Sequence, residues 1–143
     1  MKSNFSDNLL SQLGKDILFF DGGTGSVLQS WGLRPGELPE TWNILQPNKI
    51  IDLHFNYFLA GCNIIKTNTF GANSLKFPQK NATFLFEKEA NTLPFLEDVV
   101  SSAIQNAQEA RRLIENLSLH QEEISLLKEK YLFPKTKFLI ISL

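Results

Sequence analysis

The chain has 143 residues, one ordinary domain by length, and its 43% hydrophobic and 11% aromatic content is enough to fill a core. Its 14 basic and 15 acidic residues give a net charge of -1 with no basic block, which argues against a nucleic-acid surface. No apolar run approaches the roughly 20 residues needed to cross a bilayer. The N-terminal "MKSNFSDNLLSQLGKD" lacks the uninterrupted apolar stretch of a secretory signal. Cys62 is the sole cysteine, so an internal disulfide and a zinc site built from several thiolates of this chain are both excluded. The compartment this suggests is a reducing cytoplasm.

In chain order, "DNLLSQLG" over 7–14 reads as a short amphipathic helix closed by Gly14. The apolar run at 16–20, "DILFF", stops at "DGG" and reads as a buried strand. A short helical turn follows and ends near Gly32. The Pro- and Gly-rich "RPGELPETWNILQP" carries Leu38, Trp42, Ile44 and Leu45, which marks an ordered loop rather than a linker. Pro47 suits the first turn of a helix over about 48–60, with Ile51, Phe55, Phe58 and Leu59 on one face and Gly61 ending it. "NIIKTNTF" at 63–70 is a second strand, and an irregular insert fills about 77–94. The clearest helix is 95–117, with Leu96, Val99, Val100, Ala103, Ile104, Ala107, Ala110 and Ile114 as its apolar stripe. A charged helical segment, "QEEISLLKEK", and a third strand at 137–143 complete the chain. Apolar strands separated by helices belong to parallel α/β sheets, whose ligands bind beyond the C-terminal strand ends.

Two such ends are polar. After the first strand come Asp21, Gly22, Gly23, Thr24, Gly25 and Ser26. The glycines let backbone N–H groups approach a ligand, and Asp21 can accept hydrogen bonds from a ligand ammonium. The plainer alternative is a tight turn with Asp21 capping the next helix. A phosphate cradle is the rival, but "GTGSVL" lacks the third glycine of a dinucleotide fingerprint and the Lys-Ser/Thr of a P-loop. After the second strand, Thr67 and Thr69 point to one side and Asn68 to the other by strand alternation. His54 reads as a packed or exposed helix residue, His120 as solvated and Cys62 as a small buried hydrophobe. Trp31 and Trp42 read as loop anchors, and Glu37 and Glu40 as loop-surface acids, with Glu40 able to turn inward. No catalytic acid–base or nucleophile–histidine pair can be assembled from these residues.

Four pieces occur in order over about 65 residues: Asp21-Gly22-Gly23-Thr24-Gly25-Ser26, Pro39-Glu40-Thr41-Trp42-Asn43, His54 to Gly61, and Thr67-Asn68-Thr69-Phe70-Gly71-Ala72-Asn73. Together they resemble the start of the homocysteine-binding domain of the homocysteine S-methyltransferases, closest to the cobalamin-dependent methionine synthases. The resemblance implies a (β/α)8 TIM barrel, of which residues 1–143 would supply the first three β/α units, with strands at 16–20, 63–70 and 137–143. It implies methyl transfer to the thiolate of homocysteine held on zinc, giving methionine. Cobalamin and methyltetrahydrofolate would act from other modules of a full-length enzyme. Asp21, Gly22, Gly23, Thr67, Asn68, Thr69 and Phe70 would line the substrate pocket.

The sequence also departs from that pattern. A complete barrel takes about 200–250 residues. The family's zinc ligands are cysteines on later strands; Cys62 matches none of them, so no metal ligand and no catalytic residue is assigned here. The chain alone is therefore expected to be inactive. The remaining barrel and the cobalamin and folate modules are its expected partners. A non-catalytic remnant serving as an interaction module, and an α/β phosphate binder, are the alternatives.

Overall fold

The computed structural model describes residues 14–15, 17–80, 93–119 and 139–141. The expected helix at 7–14, most of the insert at 77–94, His120 and the segment "QEEISLLKEK" lie outside the described residues.

The elements are α1 (Thr24–Ser30), a 3-10 turn (Pro39–Thr41), α2 (Trp42–Leu45), α3 (Pro47–Leu59), β1 (Ile64–Lys66), α4 (Leu96–Leu119) and β2 (Leu139–Ile141). β1 and β2 pair in parallel with Ile64 opposite Leu139 and Lys66 opposite Ile141. On the other edge of β1, Phe20 bridges Ile64, also in parallel. Asn63 and Ile64 both donate their N–H to Phe19 O, and Asp21 N–H donates to Ile64 O at 2.9 Å. Ile64 thus has a neighbour on each side, and the spatial order of the three segments follows their sequence order.

Two of the expected strands are shorter than the sequence suggested. The run at 17–20 makes a bridge rather than a ladder, and Ile17, Phe19 and Phe20 are exposed, so its outer edge has no described neighbour. The strand expected over 63–70 ends at Lys66 because the backbone turns back on itself: Thr69 N–H donates to Thr67 O at 2.8 Å and Ala72 N–H to Thr69 O at 3.0 Å. The described residues are mainly helical and form no barrel.

α3 starts at Pro47, where the missing N–H costs nothing, and ends in a two-bond reversal. Gly61, at φ 94°, donates to Phe58 O, and Cys62 N–H donates to Tyr57 O, satisfying two of the last helical carbonyls. The buried side chains of α3 are Ile50, Leu53, His54 and Phe58, a face rotated from the one expected, with Ile51, Phe55 and Leu59 only partly covered. Of the expected α4 stripe, Val99, Ala103, Ala107, Ala110 and Ile114 are buried, while Leu96, Val100 and Ile104 are only partly covered. Its alanines let the α3 and α4 backbones approach closely, and Phe58, Cys62 and Ile65 pack there. A second cluster of Leu28, Leu33, Trp42, Ile50 and Leu53 seats the loop and α1 on the opposite side of α3.

Candidate functional site

The first tip is held by a carboxylate. The Asp21 side chain is fully buried; its Oδ2 accepts the Lys66 N–H at 3.0 Å, and Oδ1 lies 3.0 Å from Lys66 Nζ without a well-directed hydrogen bond. Asp21 therefore ties the two strand ends together and does not cap α1, whose N-cap is Gly23. None of the glycines of this turn has a positive φ; Gly22 and Gly23 are crowded, whereas Gly25 has open space around it. A Cβ on Gly22 would sit 3.0 Å from Tyr57 Oη, and one on Gly23 would sit 2.8 Å from Ser26 Oγ. The Tyr57 and Ser26 hydroxyls both donate to Gly23 O, at 3.3 and 3.1 Å, fixing the turn against α3.

The second tip is tied into a buried amide network. Asn68 Nδ2 donates to Pro39 O at 2.8 Å and to Asn43 Oδ1 at 3.0 Å. Asn43 Nδ2 donates in return to Asn68 O at 2.8 Å and to Val99 O at 3.3 Å. Asn106 Nδ2 donates to Asn43 O at 2.9 Å. Loop, strand end and α4 are joined through three asparagines. The Thr67 and Thr69 hydroxyls meet at 2.9 Å within the turn that follows β1, so a turn rather than strand alternation brings them together. Glu40 does turn inward: it is 4% exposed, and its Oε1 accepts Gly71 N–H at 2.6 Å. Glu37 stays at the surface and still holds the loop, accepting from Trp42 Nε1 at 2.8 Å and from Arg34 N–H at 3.1 Å.

Between the tips opens a cleft of about 480 Å³. Of the residues nominated from sequence, Gly22, Gly23, Thr67, Asn68 and Phe70 line it. Asp21 and Thr69 stand behind it, Asp21 on Lys66 and Thr69 on Thr67. Phe70 is 95% exposed, so its ring flanks the mouth and is not packed beneath it. Sequence reading missed Lys66 and did not place Glu40 at the cleft, which both residues line. The available signals were a lone lysine closing an apolar strand and an acid fixed behind Pro39.

Burial sets the titration of the groups nearby. His54 is fully buried with neither ring nitrogen partnered among the described residues, and burial lowers its pKa to about 4. Burial, with help from the Asp21 charge, pushes the Cys62 thiol up to about 12. Cys62 is thus a protonated core thiol at neutral pH. Among the described residues no three His, Cys, Asp or Glu side chains converge in a way that could hold a metal ion. The residues present do not fit the zinc centre that the resemblance implies.

The sequence profile described as Homocysteine S-methyltransferase matches residues 18–126, most of the chain. The chain belongs to the homocysteine S-methyltransferase family. That family is of the TIM-barrel type and points to a methyltransferase. The methionine synthase of Mycobacterium tuberculosis is 32% identical over 78 residues, a match covering 50% of this chain. The match spans 6% of that protein's length. Among the described residues no helix is long and apolar enough to cross a membrane.

Proposed function

We propose that the cleft between the two strand tips receives the amino-acid end of homocysteine, and that the chain is the opening part of a cytoplasmic enzyme that methylates its thiol to give methionine. The observation that carries this reading is the convergence of Gly22, Gly23, Thr67, Asn68 and Phe70, drawn from two separate motifs, on one cleft. In the complete enzyme these residues and the 16–20, 63–70 and 137–143 segments form the first three β/α units of the barrel. The zinc ligands, and the cobalamin and folate modules, come from outside residues 1–143. Within this chain, the glycine turn lines the cleft, and Asp21, Glu40 and the asparagine network hold the two tips in register.

This part of the enzyme binds homocysteine and does not methylate it. Equilibrium dialysis with L-homocysteine, followed by incubation with methylcobalamin or methyltetrahydrofolate and mass-spectrometric detection of methionine, tests both halves. Binding without methionine is expected. Methionine formation by the chain alone refutes the division of labour, and absence of binding refutes the site.

One observation favours a second reading, an interaction module. Ile17, Phe19, Phe20, Phe70 and Leu75 are each more than half exposed. Sedimentation analysis separates the two readings: a self-associating chain that ignores homocysteine supports the module.

A further inference from the structure

Asp21 is the acid that the sequence offers to a ligand ammonium, and in this chain an ammonium already stands on it. Lys66 Nζ lies 3.0 Å from Asp21 Oδ1. The Asp21 side chain is fully buried, and Oδ1 is closed to solvent. Asp21 itself does not line the cleft, whereas its chain neighbour Gly22 and its partner Lys66 both do. Among the described residues that line the cleft, Lys66 is the only cation. Its side chain thus stands between the buried carboxylate and the open cleft.

The two contacts between these residues differ in kind. Asp21 Oδ2 accepts the Lys66 N–H at 3.0 Å, a bond made by the backbone and independent of the lysine side chain. The ammonium makes no well-directed hydrogen bond to Oδ1, and the Lys66 side chain is 36% exposed. Its flexible stem lets the ammonium leave for water without moving β1. A buried carboxylate oxygen left without a partner is costly, so Oδ1 then calls for another cation. A ligand ammonium entering the cleft beside Gly22 brings the same charge and the same kind of donors that Lys66 withdraws.

We propose that Lys66 is an internal competitor for Asp21: its ammonium occupies the place of a ligand's and swings out before an amino group binds there. The proposal rests on the homocysteine reading above and adds to it a contact that covers the carboxylate in the free chain. Exchange of one ammonium for another leaves Asp21 paired at the start and at the end. The backbone bond at Oδ2, and with it the register of the two strand ends, persists throughout. Lys66 therefore lowers affinity for the amino acid, the opposite of what a cation contacting the ligand's carboxylate would do.

Calorimetric titration with L-homocysteine compares the full chain with Lys66→Met and Lys66→Gln, neither of which carries a competing charge. Both variants are expected to bind about three- to tenfold more tightly than wild type. Lys66→Arg keeps the charge and is expected to bind no more tightly than wild type. The wild-type chain supplies a reading that needs no variant to fold. In a carbon-labelled sample, the Lys66 ε-CH2 signal is expected to move toward that of a free lysine as homocysteine saturates. Weaker binding in Lys66→Met and Lys66→Gln overturns the proposal and makes Lys66 a contact of the ligand. Equal binding, or an ε-CH2 signal unmoved at saturation, overturns it too, while the homocysteine site stands. Failure of the wild type and all three variants to bind homocysteine overturns the site reading and this proposal with it.

Discussion

Replacing Asn43 by alanine tests whether the asparagine network holds the second strand tip in place. Asn43 is 1% exposed. Its side chain donates to Asn68 O at 2.8 Å and to Val99 O at 3.3 Å, and accepts from Asn68 Nδ2 at 3.0 Å. Asn68 Nδ2 keeps Pro39 O after the substitution, and Val99 O lies inside α4, so each loses only part of its bonding. Asn68 O loses the Asn43 donor outright. One buried carbonyl stranded, plus two weakened contacts and a small cavity, amounts to about 3 kcal/mol. At about 2–4 °C per kcal/mol for a chain near this size, the melting midpoint should fall by about 6–12 °C. Circular dichroism on wild type, Asn43→Ala and the exposed-site control Leu45→Ala gives the comparison. Leu45 is 64% exposed, so its substitution should stay within about 0.5 kcal/mol. If Asn43→Ala lowers stability by no more than Leu45→Ala does, the network is not what fixes the Thr67–Phe70 tip.

Gly71→Ala would place a Cβ 2.7 Å from Glu40 Oε1 and 3.0 Å from Lys76 Nζ. Lys76 can swing into solvent but buried Glu40 cannot, so the variant should lose about 1–3 kcal/mol and bind homocysteine more weakly, as read by thermal melting and calorimetry. His54 has its pKa lowered by burial to about 4, against about 6.5 in the unfolded chain. Its neutral form favours the fold, so this contribution is complete above about pH 6.5 and is lost as pH falls toward 4, up to about 3 kcal/mol. Urea melts across that range should show the slope in wild type and a shallower one in His54→Leu. Cys62, buried and with its thiol pushed up to about 12, should resist alkylation at pH 8 in the folded chain and react promptly in urea, as mass spectrometry would count.

Much of this structure was legible in the sequence because its signals are local. Pro47 and Gly61 bounded α3, and the spacing from Val99 to Ile114 gave the α4 stripe. Strand alternation did not carry past Lys66: a turn, not a strand, brings the Thr67 and Thr69 hydroxyls together. What escaped depended on distant partners. The buried face of α3 is set by both hydrophobic clusters, which take Phe58 on one side and Ile50 and Leu53 on the other. The first strand keeps only the bridge from Phe20 to Ile64, a pairing across 44 positions that no residue within 16–20 announces. The need for Gly22 comes from Tyr57, 35 positions away, and the inward turn of Glu40 from Gly71, 31 positions away. Lys66 drew no reading from the sequence, because what places it beside the cleft is Asp21, 45 positions away.

The most direct test of the central claim is the footprint of L-homocysteine on the isotopically labelled chain. Backbone amide shifts should saturate together at Gly22, Gly23, Lys66, Thr67 and Gly71, with α4 beyond Ala110 unmoved. No saturable shift, or shifts gathered away from the two strand tips, would contradict a homocysteine site in this cleft.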